Sequence, residues 1–291
     1  MSYSPDRAEI AQGHPCFDAG AHDRVGRVHL PVAVRCNIQC NFCERKVCAT
    51  LAVQHPGWAR RLLSVDEAVA LVDSVVETGP RSGFVVGVAG PGDPLANEET
   101  FACLGAVHQR HPGLVKCIST NGLLLADSLP RLRSVGVSAL TVTINAASVP
   151  VGQQVYSWVR YRDSLYRGAD GAQLLLEKQM EGVEAALAAG LPVKVNTVLV
   201  PGVNDEHVAE LAMRLGRMGV ELMNIMPLIP AGKMSGLRPP TCEELNKARD
   251  ICAAFVPQFR RCEQCRADTV FLPHSSTGPL HGHLPEGQEA T

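Results

Sequence analysis

The chain has 291 residues, 46% of them hydrophobic, and its 27 Lys and Arg nearly balance its 29 Asp and Glu. That length holds one large domain or two small ones with an ample core. The even charge offers neither a nucleic-acid groove nor a surface for anionic membranes. No apolar run approaches the ~20 residues of a membrane span.

Eleven cysteines behind a polar opening stretch read as metal ligands, not disulfides, and place the protein in the cytoplasm as an oxygen-sensitive species. Residues 1–13 read as a flexible leader, and residues 14–272 as a single domain. Residues 273–291, rich in Ser, Gly, Pro and His without apolar period, read as a disordered tail whose His274, His281 and His283 are inert.

After His14-Pro15-Cys16 and a polar stretch, residues 28–34 form the first strand candidate. It delivers Cys36, Cys40 and Cys43, spaced Cys-x3-Cys-x2-Cys, in one short loop. Thiolates this close cannot all be disulfide-bonded, but they can converge on one soft metal centre. Three ligands on a four-iron cluster leave one iron open, as catalytic zinc sites keep one position free. The spacing resembles the cluster loop of radical S-adenosylmethionine (SAM) enzymes, and Phe42 fits the usual aromatic before the last cysteine.

Further on, Ser64 with Glu67 is a capping-box signature for a helix to about residue 78. Strand candidates follow at 84–89, 115–119, 140–145, 193–200 and 222–228. Helices fall near 97–109, 123–135, 172–189, 205–218 and 242–254, with Gly79, Gly136, Gly190 and Gly219 as C-terminal caps. The alternation predicts a parallel sheet. Six units are too few for an eight-fold barrel, so the expected fold is α/β: a partial (β/α)6 TIM-like barrel, with catalytic residues at the carboxyl ends of its strands. The long connection 146–171 carries Tyr156, Trp158 and Tyr161 and reads as a lid or substrate clamp. A surface excursion anchored by Trp158 is the plainer alternative.

Several strand ends carry polar or sulfur groups. Gly90, Gly92 and Asp93 form a turn where backbone approaches a ligand closely and a carboxylate accepts hydrogen bonds. Ser119, Thr120, Asn121, Asn145 and Asn196 each need a partner if buried. Facing the barrel mouth they would meet the SAM carboxylate and ribose; otherwise Asn145 and Asn196 satisfy loop backbone. Cys262 and Cys265 form a Cys-x2-Cys chelating pair. With Cys16, His29, Cys48 and Cys117 they supply ligands enough for two more clusters. Cys103, Cys242 and Cys252 lie on helices and read as packed thiols.

The His14-Pro15-Cys16 opening, the cysteine loop, the Gly90-Pro91-Gly92-Asp93 turn, Ser119-Thr120-Asn121-Gly122 and the Cys262-Glu263-Gln264-Cys265-Arg266-Ala267-Asp268 ending together resemble the nitrogenase cofactor maturases, the NifB family, over residues 13–268. The resemblance implies a radical SAM barrel with N- and C-terminal cluster-binding extensions, SAM, and three [4Fe–4S] clusters. One, on Cys36, Cys40 and Cys43, cleaves SAM. Two auxiliary clusters on Cys16, His29, Cys48, Cys117, Cys262 and Cys265 are fused into an eight-iron core, with Cys117 among the catalytic residues. Gly90, Gly92, Asp93, Ser119, Thr120, Asn121, Asn145 and Asn196 would hold SAM. Implied partners are iron–sulfur cluster donors, downstream cofactor-assembly proteins and a reductant such as ferredoxin or flavodoxin, with no nucleic acid or membrane. One departure stands out. Where the family has Glu-x-Arg-Pro-Gly, residues 51–57 lack the acid, and His55 replaces the arginine. A peptide-modifying radical SAM enzyme and a non-catalytic cluster carrier are the rival functions; a carrier has no use for the SAM-binding set.

Overall fold

The computed structural model describes residues 7–50, 55–79, 83–273 and, for the backbone, 280–282. In chain order, α1 (Arg7–Gln12) precedes β1 (Gly26–His29), and the cysteine loop carries β2 (Ile38–Cys40). β3 (Lys46–Val47) pairs with β4 (Trp58–Ala59) beside that loop. α2 (Val65–Thr78), β5 (Phe84–Val88), α3 (Glu98–Arg110), β6 (Lys116–Thr120), α4 (Leu125–Ser134) and β7 (Val137–Thr143) then alternate. α5 (Val149–Val155), β8 (Tyr156–Tyr161) and β9 (Ser164–Tyr166) interrupt the alternation. It resumes with α6 (Gly168–Ala188), β10 (Val193–Leu199), α7 (Val208–Met218), β11 (Leu222–Pro227) and α8 (Cys242–Ala253), before β12 (Val270–Leu272) and β13 (Leu280–Gly282).

The main sheet runs β11-β10-β7-β6-β5-β1-β12-β13. Its first six strands are mutually parallel, and β12 and β13 add an antiparallel edge beside β1. This is the six-unit partial barrel that the alternation predicts.

Period-two alternation divides the strands into two faces. Val28, Val86, Val88, Ile118, Leu140, Val142, Val195 and Ile225 face outward into one core with Val72, Leu104, Leu132, Val183 and Leu211 of the helices. Each fully buried aliphatic side chain there contributes about 1.5–3 kcal/mol. The helices answer in kind: α7 buries Val208, Leu211, Ala212 and Leu215 along one stripe, the i, i+3, i+4, i+7 pattern of an amphipathic helix. The Ser64–Glu67 capping box opens α2, and Gly219 closes α7 with φ 84°. The opposite, inward face is polar. Register places Arg27 beside Val85, His29 beside Gly87, Gly87 beside Cys117, Ser119 beside Thr141, Thr141 beside Lys194, and Asn196 beside Asn224.

Four expectations need correction. Residues 7–12 of the leader are helical, and the Arg7 guanidinium is held by the Gly219 carbonyl at 3.1 Å and by Glu221. The first strand is Gly26–His29, not 28–34, because Pro31 has no N–H to continue the ladder. The connection 146–171 is neither a lid nor a loose excursion. β8 pairs with both β2 and β9 in a three-stranded sheet, and Tyr156, Val159 and Tyr161 pack with Ile38, Leu123 and Leu175. Within the expected tail, residues 280–282 form a strand on β12; His274 and His283 lie outside the described residues. Among the described residues no helix is long and apolar enough to cross a membrane.

Candidate metal centre in the barrel

The cysteine loop leaves β1 at the mouth and is braced on several sides. Cys40 sits opposite Tyr156 in the β2–β8 ladder, and Asn41 N–H donates to the Val155 carbonyl at 2.7 Å. The Gln39 amide donates to both the Cys40 and Cys43 carbonyls at 2.9 Å, and Arg45 holds the Gln39 oxygen at 2.7 Å. The Asn41 carbonyl accepts from Lys233 and Met234. Burial pushes the Cys36 thiol up to about 11 and raises Cys40 and Cys43 as well, while Arg45 opposes the rise at all three. The three thiols lie within one another's field. Among the described residues no three His, Cys, Asp or Glu side chains are already drawn into ligating geometry.

The glycine turn after β5 supports this loop from beneath. A Cβ on Gly92 would stand 2.1 Å from the Arg35 carbonyl oxygen, so only glycine lets the two backbones meet. Gly92 N–H donates to Ala33 at 2.6 Å, and Asp93 N–H to Arg35 at 2.9 Å. Gly90 adopts φ 140°, a conformation other residues avoid. Asp93 is 3% exposed, and its carboxylate accepts from Leu95 N at 2.9 Å, Thr120 Oγ1 at 2.9 Å and Asn121 N at 2.6 Å. Burial outweighs these donors and lifts its pKa to about 6. Asn121 in turn donates to Asn37 Oδ1 at 2.6 Å and lies 3.8 Å from Cys36 Sγ.

The predicted SAM set therefore divides. Asp93, Thr120 and Asn121 form an internal chain tying two strand ends to the cysteine loop. Asn145 is also engaged, accepting from Val198 N at 2.8 Å and donating its own N–H to the Tyr156 hydroxyl at 3.2 Å. Ser119 and Asn196 are half-buried on the inward face, where Asn196 Oδ1 accepts from Asn224 at 3.0 Å. Asn224 escapes a sequence reading because it stands alone among Leu, Met and Ile.

A second set of sulfur and imidazole groups gathers around the inward face of β1, β5 and β6. His29 Nδ1 pairs with the Arg266 carbonyl at 2.9 Å, which puts the proton on Nδ1 and leaves Nε2 with its lone pair. A Cβ on Gly87 would stand 3.2 Å from Cys117 Sγ and 3.7 Å from His29 Nε2, so both flank the one glycine. Cys16 enters from the N-terminal segment, its carbonyl 3.0 Å from Lys194 Nζ. It bears electrostatically on Cys117 and on Cys265, which also senses Arg27 and Cys262. Burial raises Cys117 and Cys265 to about 12 and lowers His29. Cys262 lies 3.8 Å from Met226 Sδ.

Two thiols depart from expectation. Cys48 is exposed beside Thr50 at 3.4 Å, its pKa lowered by that hydrogen bond, and its N–H donates to the Ala59 carbonyl at 3.0 Å. Cys242 is exposed at the start of α8, whereas Cys103 and Cys252 are packed. His55, in place of the expected arginine, stacks on Trp58 at 4.4 Å.

A curled sheet of six parallel strands, with a Cys-x3-Cys-x2-Cys loop at the mouth and thiols on its inner face, defines a radical SAM protein. The family model described as the Radical SAM superfamily matches residues 30–215, so the chain belongs to that superfamily, which implies SAM and a [4Fe–4S] cluster. A radical SAM methyltransferase from Sphaerobacter thermophilus shares the fold with a TM-score of 0.50 at 22% identity, over 81% of this chain and 65% of that one. More narrowly, the chain is 45% identical over 265 residues to the FeMo cofactor biosynthesis protein NifB of Methanocaldococcus jannaschii, covering 91% of this chain and 88% of the relative. It is 40% identical over 290 residues to the protein of the same name from Klebsiella pneumoniae, spanning 61% of that longer relative. The chain belongs to the NifB family.

Proposed function

We propose that this chain fuses two [4Fe–4S] substrates, with a SAM-derived carbide and an added sulfur, into the eight-iron precursor of the nitrogenase cofactor. The observation that carries this reading is the separation of two sulfur sets within one barrel. Cys36, Cys40 and Cys43 stand at the mouth, and Cys16, His29, Cys117, Cys262 and Cys265 line the interior. A cluster carrier needs no such pairing of a braced loop with an inward chamber.

The residues fit the groups they would hold. Three thiols on one short braced loop would suit one cluster with an open iron, where SAM bound beside the reduced cluster would supply one-electron cleavage and a methyl group. Gln39 and Arg45 fix the loop carbonyls, and the Asn121 amide stands beside Cys36. Ser119, Asn196 and Asn224 give the inward face its neutral polar groups for the amino-acid and ribose parts of SAM. His29, with Nε2 free of its proton, is a neutral ligand beside thiols, easier to release than a thiolate when iron is rearranged. Cys48, an exposed thiol beside the cysteine loop, would complete the auxiliary set. Three clusters in all, cluster donors, a low-potential reductant such as ferredoxin or flavodoxin, downstream assembly proteins and a cytoplasmic location complete the proposal.

The test is anaerobic. Reconstituted protein, labelled SAM and dithionite should yield 5′-deoxyadenosine and acid-released methanethiol. Cys36→Ala, Cys40→Ala and Cys43→Ala together should abolish SAM cleavage while auxiliary iron stays. Persistent 5′-deoxyadenosine from the triple variant would sink the assignment.

A further inference from the structure

Buried hydrogen-bond donors flank this second set of thiols. Lys194 is 4% exposed. Its ammonium meets the Cys16 carbonyl at 3.0 Å and lies over the rings of Phe17 at 5.4 Å and Phe259 at 5.3 Å. These partners are neutral. Arg27 is 1% exposed. One of its terminal nitrogens pairs with Glu263 and another lies 3.3 Å from His22 Nδ1, but Nε has no acceptor among the described residues. His14, also 1% exposed, accepts from Cys16 N–H at Nδ1, 3.1 Å away. The neutral ring must then carry its proton on Nε2, and that atom is buried without an acceptor among the described residues.

These three side chains converge on one place. Lys194 and His29 bear electrostatically on His14, and Cys16, Cys262 and Cys265 bear on Arg27. Buried donors are almost always satisfied, and the groups around them are sulfur and imidazole, Cys16, His29, Cys117 and Cys265, with the nearby carboxylates Glu263 and Asp268 already paired to Arg27 and Arg266. An anionic, sulfide-bearing guest supplies the missing acceptors and the missing negative charge together. A neutral organic molecule supplies only the first.

We infer that His14, Arg27 and Lys194 are positioning residues, whose donors bind the sulfides of an auxiliary iron–sulfur cluster and raise its reduction potential. The inference rests on the reading above, that this thiol set holds a cluster. Cationic and N–H donors near cluster sulfur stabilise the added electron. Lys194 has the largest effect because it brings a whole charge with no carboxylate against it among the described residues. Arg27 has less, since Glu263 already offsets it. His14 contributes a donor alone.

The experiment uses the full chain carrying Cys36→Ala, Cys40→Ala and Cys43→Ala, so that only auxiliary clusters remain. Potentials are read by electron paramagnetic resonance during anaerobic titration. Adding Lys194→Met should move the auxiliary midpoint to a more negative potential, and His14→Phe should do so by a smaller step, with iron content unchanged. Midpoints that stay in place in both variants would overturn the inference. So would loss of auxiliary iron from both with far-UV dichroism preserved, because these groups would then hold the ligand frame and not the sulfides. Should neither variant fold, the parent decides: after exchange into D2O, its reduced auxiliary cluster should show strongly coupled deuterons, and their absence refutes the idea. A parent without auxiliary iron is a different result, which removes the cluster reading itself.

Discussion

His29 and Arg266 are joined by a 2.9 Å hydrogen bond, from imidazole Nδ1 to a backbone carbonyl, that spans 237 residues of sequence. The antiparallel pairing of β1 with β12 sets it up, with Val28 opposite Val270. The C-terminal segment thus fixes which nitrogen of His29 is free to meet a metal, a device common to histidine ligands. We predict that His29→Ala loses methyl transfer from SAM and keeps the cluster on Cys36, Cys40 and Cys43. Acid-released methanethiol and nitrogen hyperfine coupling are the readouts. If the variant releases methanethiol at the parent level, and no nitrogen coupling disappears, His29 is not a ligand.

Gly92 is the point where the turn after β5 touches the strand entering the cysteine loop. Since a Cβ there would lie 2.1 Å from the Arg35 oxygen, Gly92→Ala must push Arg35, and Cys36 with it, out of place. The expected outcome is loss of the loop cluster, with auxiliary iron retained and stability lowered by about 1–3 kcal/mol. Iron counting with resonance spectra checks it. An unchanged loop-cluster signal would show that the contact yields.

Asp93 ties two strand ends with three accepted hydrogen bonds. Asp93→Asn turns an acceptor into a donor facing N–H and O–H groups, at a cost of about 1–3 kcal/mol. Linkage adds a sign. The folded pKa of about 6 exceeds the ordinary 3.8. The contribution of this group is therefore full below about 3.8 and is lost as pH rises through about 6. The asparagine variant has no such slope, so its deficit in urea unfolding should be larger near about pH 4 than near about pH 8. A deficit that grows with pH would contradict the burial argument.

Much of this was legible in the chain. Hydrophobic alternation and glycine caps mark the six units, since each apolar strand must bury both its outer residues and its helix. Cys36, Cys40 and Cys43 are legible because their spacing is local. What hid were contacts between distant segments. The pairing of Gln39 with Trp158 leaves no local signature, so the connection 146–171 read as a lid when it is the wall of the cysteine loop. Arg27 and Lys194 carry no motif of their own beside His29 and Asn196. Yet Val193-Lys194-Val195-Asn196 alternates as a strand with one polar face, and that pattern was enough to find Lys194. Asp93 was visible as a carboxylate in a turn, but not as one already engaged by Thr120 and Asn121.

Metal uptake by the cysteine loop should depend steeply on pH. Burial raises Cys36 to about 11 and lifts Cys40 and Cys43, with the Asp93 carboxylate adding to the rise at Cys36 and Cys40. All three thiols therefore hold their protons at neutral pH, and each must give one up to become a ligand. Below its pKa, a thiol weakens apparent affinity about tenfold for every pH unit lost, so three together give a slope of about three decades per unit. Cobalt(II) is a convenient probe, since its thiolate bands report binding without iron chemistry. In protein carrying Cys16→Ser, Cys48→Ser, Cys117→Ser, Cys262→Ser and Cys265→Ser, affinity should climb between about pH 6 and about pH 8. Calorimetry in buffers of different ionisation enthalpy should find close to three protons released per cobalt bound. A slope near one decade, with a single proton released, would mean that two of the loop thiols are already ionised in the metal-free protein. Burial would then not govern their chemistry.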